Sequence, residues 1–478
     1  MTDSSLIKNL QLLPPAKWLS FQAFIASPYY NKHQNTRSLC EVLTHYYPFQ
    51  KATFPDKKIL FQQVFGDRPY HEQSLKDVMR YLLELLQSFL AQEYLRDHPE
   101  HQRLLSLKTA QAYNMTELFE RKTKALTKIL DTRNDVASYN ITHQLERLQV
   151  NHDQRMGKLS VAHLTNALDA LDHYYLLSRM EWVTAMKNRN TIYDTGFVFS
   201  EHAAISQLAA ELGIQQHPVF MAYNMVWQLL EDQPEEAVYQ QLINYLQTHE
   251  AELPKANLFD LYTYARNFCT RQINSGNAHY LQQLFELYKY LLERELLIKK
   301  DEMSQWSFTN IVSLGLRLGE YDWTAHFMDH LQTALPETDR TNAYNYNRAN
   351  YHYHLKDYRA AQQLLLEVEY TSIFYKLNSR HMLLKIYYEE TEFELLDALA
   401  HSFKLFLLRT KGLTGLQRKT NQQFIRFLLK LAKIKEQLTY QLDRNAISSA
   451  RSLQGKIEEH PQLNSKQWLL EQVQLLQE

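Results

Sequence analysis

Apolar side chains return along this chain at steps of three and four, the spacing that lines one face of a helix, and seldom at steps of two. Leu75, Val78, Met79, Leu82, Leu83, Leu86, Phe89 and Leu90 form one such stripe, and Leu130, Leu145, Leu148, Leu164, Leu168, Leu171 and Leu176 continue the rhythm less regularly. Towards the C-terminal third a cadence overlies this pattern. Leu318-Gly319-Glu320-Tyr321, Leu355-Lys356-Asp357-Tyr358 and Glu390-Thr391-Glu392-Phe393 each place a short turn before an aromatic. The aromatics recur at intervals in the mid-thirties with helical patterns on both sides. Such a recurrence predicts stacked helix-turn-helix units, which bury a continuous core only by packing on their neighbours. The expected fold is all-α, a solenoid of these repeats.

Punctuation divides the chain into three. Residues 1–101 read as an N-terminal helical module, with Pro14-Pro15 at a helix entrance, Ser27-Pro28 as a stop and Asn31 as the N-cap of a helix through Tyr46. Phe54-Pro55-Asp56 opens a short helix ending near Gly66, Arg68-Pro69 leads into the Leu75 to Leu90 stripe, and the polar run Arg96 to His101 closes the module. Residues 102–250 read as irregular helical repeats, interrupted at Lys187-Asn188-Arg189-Asn190 and at His217-Pro218. Residues 251–478 hold a unit from Leu258 to Leu297, the three units of the cadence and a basic helix from Leu416 to Lys435. A final amphipathic helix with Trp468, Leu469, Leu470, Val473 and Leu476 is suited to cap an open array.

The last repeats resemble tetratricopeptide repeats. Ala349, Lys356-Asp357-Tyr358 and Ala361 match the pattern in which small residues let two helices approach and an aromatic fills the gap to the next repeat. His352 stands where that family favours an aromatic, and only Gly319 supplies the usual turn glycine. The whole chain, including Phe24-Ile25-Ala26-Ser27-Pro28-Tyr29-Tyr30-Asn31 and Ala343-Tyr344-Asn345-Tyr346-Asn347, is similar to an uncharacterised family of tetratricopeptide-like proteins of Bacteroidetes-type bacteria. The resemblance implies a right-handed α-solenoid and supplies no activity. It also implies a binding face, because in tetratricopeptide arrays the first helix of each pair lines a concave groove that holds extended peptides. Placing the three turns in register carries Trp306, Thr309, Ser313 and Arg317, then Tyr346, Asn350, Tyr353 and His354, then His381, Lys385 and Tyr388 to that groove. Amides and cations there can hold backbone carbonyls or a carboxylate, while tyrosines give contact area at low entropic cost. Of the 31 tyrosines, those between Tyr344 and Tyr388 serve packing as well as recognition.

Composition sharpens the class without naming a partner. An apolar content of 45% and a charged content of 22% suit a packed protein, and only 10 Gly and 12 Pro punctuate it. The net charge of −1 sets up no global field for nucleic acid or anionic lipid. Charge is nevertheless segregated: Lys404, Arg409, Lys411, Arg418, Lys419, Arg426, Lys430, Lys433 and Lys435 stand against the single acid Glu436. This segment is either an anion contact, centred on Arg418, Lys419, Arg426, Lys430 and Lys433, or a docking surface for the chain's own acidic repeats. Cys40 and Cys269 are too few for a disulfide framework and read as buried thiols in a reducing compartment. The opening residues lack a basic and apolar leader, and no window approaches a membrane span, so a soluble cytoplasmic protein without membrane contact is expected.

Catalytic motifs are missing: there is no glycine-rich phosphate loop, no Gly-x-Ser-x-Gly and no His-Glu-x-x-His. His326 and His330, with Asp329 beside them, share a helical face but are read as a solvent-exposed or packed pair, so neither a metal nor a cofactor is expected. Glu389, Glu390, Glu392 and Glu394 are read as a solvated face rather than an acid-base pair. The segment from Lys57 to Leu90 resembles the winged-helix modules that precede tetratricopeptide arrays in some bacterial activators, although a β-wing is missing and its long helix offers only Lys76 and Arg80 as bases. The expected function is therefore a non-enzymatic scaffold that binds a protein or peptide in the groove. The alternative is a regulator contacting nucleic acid through the basic 404–435 helices or the N-terminal module.

Overall fold

The computed structural model describes residues 3–49, 54–192, 201–231, 234–299, 302–368, 373–440, 444–460 and 463–477. The protein is all-α; among the described residues the only strands are β1 (Ile298–Lys299) and β2 (Glu302–Met303), paired antiparallel. No helix among those residues is long and apolar enough to cross a membrane. The chain falls into two compact units, 1–258 and 259–478, where the sequence reading draws its lines at 101 and 250.

In the first unit α1 (Ser5–Gln11), α2 (Pro15–Ala26), α3 (Gln34–Thr44), α4 (Lys57–Phe65) and α5 (Glu72–Asp97) enclose an apolar cluster running from Leu6 to Phe89. Its centre is aromatic: Trp18 stacks on Tyr47 at 5.5 Å and meets Phe49 edge-on at 5.6 Å. Asp56 starts α4 by accepting from the amides of Lys58 and Ile59, as its position before an apolar run predicts. Asn31 does not cap α3, which begins at Gln34. Being buried, its amide needs partners on both sides, so it donates to the Ile25 carbonyl at 3.0 Å and accepts from the His33 amide at 2.9 Å. Leu90 of the α5 stripe is half-exposed, and Leu85 is buried instead.

A second cluster joins α6 (Pro99–Ala112), α7 (Thr116–Leu130) and α8 (Val136–Arg155) around Leu107, Phe119, Leu126 and Leu145. α8 opens with a capping box between Asp135 and Ser138 and then forms a hairpin with α9 (Val161–Ile192), fastened by His163 Nδ1 at 2.6 Å from Glu146. One expectation fails on α9. Lys187 to Asn190 lie inside the helix, where Lys187 pairs with Glu231 over the Trp227 ring; polar residues interrupt an apolar count without interrupting a helix. Leu164, Leu168 and Leu171 face outward, while the inner face is made by Ala167, Ala170, Leu176, Leu177 and Met180. α10 (Glu201–Glu211), α11 (Pro218–Leu229) and α12 (Glu236–Thr248) complete the unit, with Pro218 opening α11 as the dipeptide predicts.

The division between units falls within α13 (Lys255–Asn274). There follow α14 (His279–Glu293), α15 (Gln305–Leu318), α16 (Tyr321–Leu331), α17 (Arg340–His354), α18 (Tyr358–Glu367), α19 (Ile373–Glu389), α20 (Phe393–Arg409), α21 (Gly415–Tyr440), α22 (Arg444–Glu458) and α23 (Lys466–Leu475). The cadence turns join α15 to α16, α17 to α18 and α19 to α20 with one geometry. Gly319, Lys356 and Thr391 all take positive φ, at 79°, 61° and 61°. The following amides of Glu320, Asp357 and Glu392 return to the carbonyls of Gly315, His352 and Tyr387, each at 2.9 Å. The amides of Gly319, Lys356 and Thr391 themselves return to the carbonyls of Leu316, Tyr353 and Tyr388, and this double closure ends one helix and aims the next, so the turn does not depend on glycine.

Within the unit the first helices pack in succession, α15 on α17 and α17 on α19. Gly315 brings α15 close to α16, because a Cβ there would sit 2.2 Å from Thr324 Oγ1, and Thr324 is fully buried. Gly315→Ala is expected to destabilise the protein by about 1–3 kcal/mol through overpacking, with recovery in Gly315→Ala/Thr324→Ala. Urea unfolding of the three variants checks this, and no recovery in the double variant would refute the contact as the cause. The β-branched Thr391 holds a left-handed conformation that costs about 1–2 kcal/mol, so Thr391→Gly is expected to raise the urea midpoint despite glycine's added chain entropy.

Candidate functional site

The helical period brings one face of each of three helices to a common cavity of about 630 Å³. Tyr346, Asn350, Tyr353 and His354 come from α17, where steps of four, three and one keep them on a single face. Phe374, Asn378, His381 and Lys385 come from α19 in the same way, and Gln417, Thr420 and Asn421 from the first turns of α21. Ile373, Leu377, Met382 and Gly412 supply apolar wall, and Asn464 and Ser465 close one side from the segment before α23.

Six of the eleven residues assigned to a groove from the sequence therefore share this cavity: Tyr346, Asn350, Tyr353, His354, His381 and Lys385. Trp306 lies beside it, half-exposed and edge-on to Phe374 at 4.9 Å. Ser313 is half-buried and Arg317 exposed, and neither lines the cavity. Thr309 and Tyr388 are corrections. Thr309 is buried between helices, accepting from Asn347 Nδ2 at 3.0 Å. Tyr388 is 1% exposed because α23 covers the end of α19, with Trp468 edge-on to it at 5.5 Å and the Lys435 ammonium 4.5 Å over its ring.

Glu389 is a further correction, since it is no part of a solvated face. Its carboxylate accepts from Tyr353 Oη at 2.8 Å, from Trp468 Nε1 at 2.9 Å and from Tyr358 Oη. The backbone carbonyls of Tyr388 and Glu389 are met by Lys435 Nζ at 2.8 and 3.3 Å. Sequence reasoning missed this cluster because Trp468 lies 79 residues away. It also missed Asn378, Gln417, Thr420 and Asn421, although carrying the repeat one unit further would have reached Asn421, 40 residues beyond His381.

The cavity's electrostatics are one-sided. Among its lining residues Lys385 carries the one ammonium, and Asp and Glu are absent. Burial pulls Lys385 down to about 8 against the opposing pull of Glu389 and Glu471, and its ammonium lies 5.2 Å from the Trp468 ring. Burial likewise pushes His381 down to about 4, although its bond to Asn421 opposes the shift, and lowers His354. Both imidazoles are therefore neutral at pH 7. His381 Nε2 lies 2.5 Å from Asn421 Oδ1, while Asn421 Nδ2 donates to the Gln417 carbonyl at 2.6 Å, which fixes the His381 proton on Nε2. Burial and the Glu389 carboxylate raise the Tyr353 phenol, which stays protonated. The side chains of Lys385, Asn350 and Asn464 make no hydrogen bond or ion pair with another described residue.

The five basic residues of the anion alternative separate. Arg418 turns inward and donates to the carbonyls of Leu407, Leu408 and Thr410, closing the C-terminal end of α20. Lys419, Arg426, Lys430 and Lys433 are exposed along one face of α21, and among the described residues none forms an ion pair. The imidazole rings of His326 and His330 lie 3.7 Å apart on an exposed face, with His330 Nδ1 bonded to the His326 carbonyl. Cys40 and Cys269 are both buried, and burial pushes the Cys40 thiol up to about 12.

Comparison with family models, with curated proteins and with solved structures finds no match to this chain.

The Lys385 ammonium has an ordinary value of 10.5 and a folded value of about 8, so the unfolded chain holds more protons between those limits. Stability contributed by this group accordingly rises with pH through that window and is at its lowest below pH 8. Lys385→Met is expected to stabilise the protein by about 1–3 kcal/mol at pH 7, with the difference from the unsubstituted protein shrinking above pH 10. Urea unfolding at the two pH values is the measurement, and equal midpoints at pH 7 would contradict a desolvated Lys385.

Proposed function

We propose that this chain is a non-enzymatic interaction scaffold, a right-handed tetratricopeptide-like α-solenoid that binds an extended peptide in the cavity between α17, α19 and α21. The observation that carries this reading is the convergence of an ammonium and two side-chain amides, Asn350 and Asn464, without internal hydrogen-bond partners in one polar cavity whose lining holds no carboxylate. A volume of about 630 Å³ lies within the span of ligand sites. The shared turn geometry, the close approach at Gly315 and the succession of α15, α17 and α19 support the repeat architecture. Two free buried thiols fit a reducing, cytoplasmic setting.

The peptide expected is one presenting a carboxylate to Lys385 while Asn350 and Asn464 meet its backbone amides. Tyr353 contributes its ring as wall, since its hydroxyl is committed to Glu389. A second reading rests on the exposed basic face of α21. Lys419, Arg426, Lys430 and Lys433 there suit a phosphate backbone, whose binding would weaken steeply with salt.

Fluorescence anisotropy with a labelled peptide library tests both readings. Acidic peptides are expected to be retained preferentially, and Lys385→Met and Asn350→Ala each to weaken them by about tenfold or more, the range of a lost charge-assisted bond. Glutamate at all four α21 positions should leave peptide binding unchanged. Binding indifferent to Lys385→Met, together with salt-sensitive retention of a labelled oligonucleotide that the α21 variant loses, would move the function to the basic face.

A further inference from the structure

The cavity of the second unit is polarised from end to end. α17 and α19 run in the same direction, since Tyr346 meets Phe374 and Tyr375 at the start of α19 while Tyr353, further along α17, meets Glu389 at its end. At the first end the walls are apolar. Ile373 and Phe374 are half-buried, Tyr346 stands edge-on to Phe374 at 5.6 Å, and Trp306 stands edge-on to the same ring at 4.9 Å from beside the cavity. Rings that already meet by their edges are the surroundings into which a further large apolar side chain packs well. At the other end Tyr353, His354 and Lys385 gather, with the Lys385 ammonium 5.2 Å from the ring of Trp468, whose indole is bonded to Glu389. Asn350 lies between the two ends on α17.

The separation of the two ends sets the spacing of what can fill both. Tyr346 to Tyr353 on α17 and Phe374 to Lys385 on α19 correspond to a rise of about 10 to 16 Å at roughly 1.5 Å per helical residue. An extended chain covers that span in about three to five residues at roughly 3.3 Å each. The lining also decides what should accompany the acid. It holds no Asp or Glu that could receive a cation at the apolar end and already carries one ammonium, whereas a large apolar side chain would leave water against Ile373 and Phe374. We propose, building on the reading of this cavity as a peptide site, that it is two-ended: it selects peptides in which an acidic residue and a large apolar residue stand about three to five positions apart. The carboxylate meets Lys385, and the apolar side chain enters between Tyr346, Ile373 and Phe374.

Fluorescence anisotropy on the full chain, with labelled peptides of glycine and serine, tests the spacing. One set carries a glutamate and a phenylalanine four positions apart in either order, a second has the two adjacent, and a third replaces the phenylalanine with serine. In one of the two orders the spaced pair is expected to bind about tenfold or more tighter than the adjacent pair or the serine control, the worth of one large apolar side chain taken out of water. Phe374→Ala, with circular dichroism unchanged, should shrink that ratio towards parity, whereas Lys385→Met should weaken all the acidic peptides together. Equal affinity of spaced, adjacent and serine peptides would overturn the two-ended cavity while leaving an acidic-peptide site in place. A spaced peptide that keeps its full advantage in Phe374→Ala would overturn it as well, because the apolar contact would then lie elsewhere. No binding by any acidic peptide removes the peptide site itself, and this pattern with it. The peptide sets on the unsubstituted protein decide alone if Phe374→Ala misfolds.

Discussion

The second unit is organised around one carboxylate. Glu389 stands at the last turn of α19 and receives a phenol from α17, a phenol from the start of α18 and the indole of α23, so four helices meet at two oxygen atoms. An ionised carboxylate can only accept, and with these donors supplied its lone pairs are largely used. Each such charge-assisted bond contributes about 1.5–3 kcal/mol, and each donor left behind by its removal would be a partly buried group without a partner. The bonds act together because they are made at the helix terminus that the Thr391 turn fixes. Lys435 adds to the same place from α21, bonding the last carbonyls of α19 where a cation is favoured by the helix dipole.

The cavity follows from that arrangement. Holding Tyr353 by its hydroxyl keeps the α17 wall upright, and drawing Trp468 down seats α23 over the end of α19, which closes one side and buries Tyr388. Lys385 is left one turn back along α19, close enough to feel Glu389 but without a carboxylate of its own, because the nearest one is engaged by neutral donors. A fold selected for stability alone would place methionine or leucine at such a position. The ammonium held there costs the folded state the difference that burial makes to its charge.

Much of this was legible in the sequence, and the reasons differ from element to element. The turns were readable because an αL residue followed by an aromatic leaves a recurring local signature whether the residue is Gly319, Lys356 or Thr391. Six residues could be placed together because helical period and turn register fix which face a residue occupies, and these six line one cavity. Thr309 and Tyr388 show where that logic ends: both lie near the correct face, yet whether a neighbouring helix covers them is decided by packing at long range. Glu389 was illegible for the same reason, since a run of glutamates beside a turn looks the same whether or not an indole from 79 residues away arrives to bind it. The α9 leucines, which keep the helical spacing read from the sequence, mark a different limit. Periodicity identified them as an apolar face, and nothing in periodicity says which of two apolar faces the rest of the chain will cover.

The two units thus leave different kinds of surface unsatisfied, with different physical consequences. In the second unit the open valences are polar and sit in a cavity, so occupancy should answer to pH through Lys385 and to ionic strength through its charge. In the first unit the open surface is apolar and runs along one helix, α9, so its cost in water is hydrophobic and depends little on salt. Local sequence alone would make each helix stable without these features. α9 would be a better solvated helix with glutamate or lysine at Leu168 and Leu171, as α19 would be a better packed one without Lys385. The fold thus departs from its own local optimum in two separate places, once by a buried charge and once by an exposed apolar face.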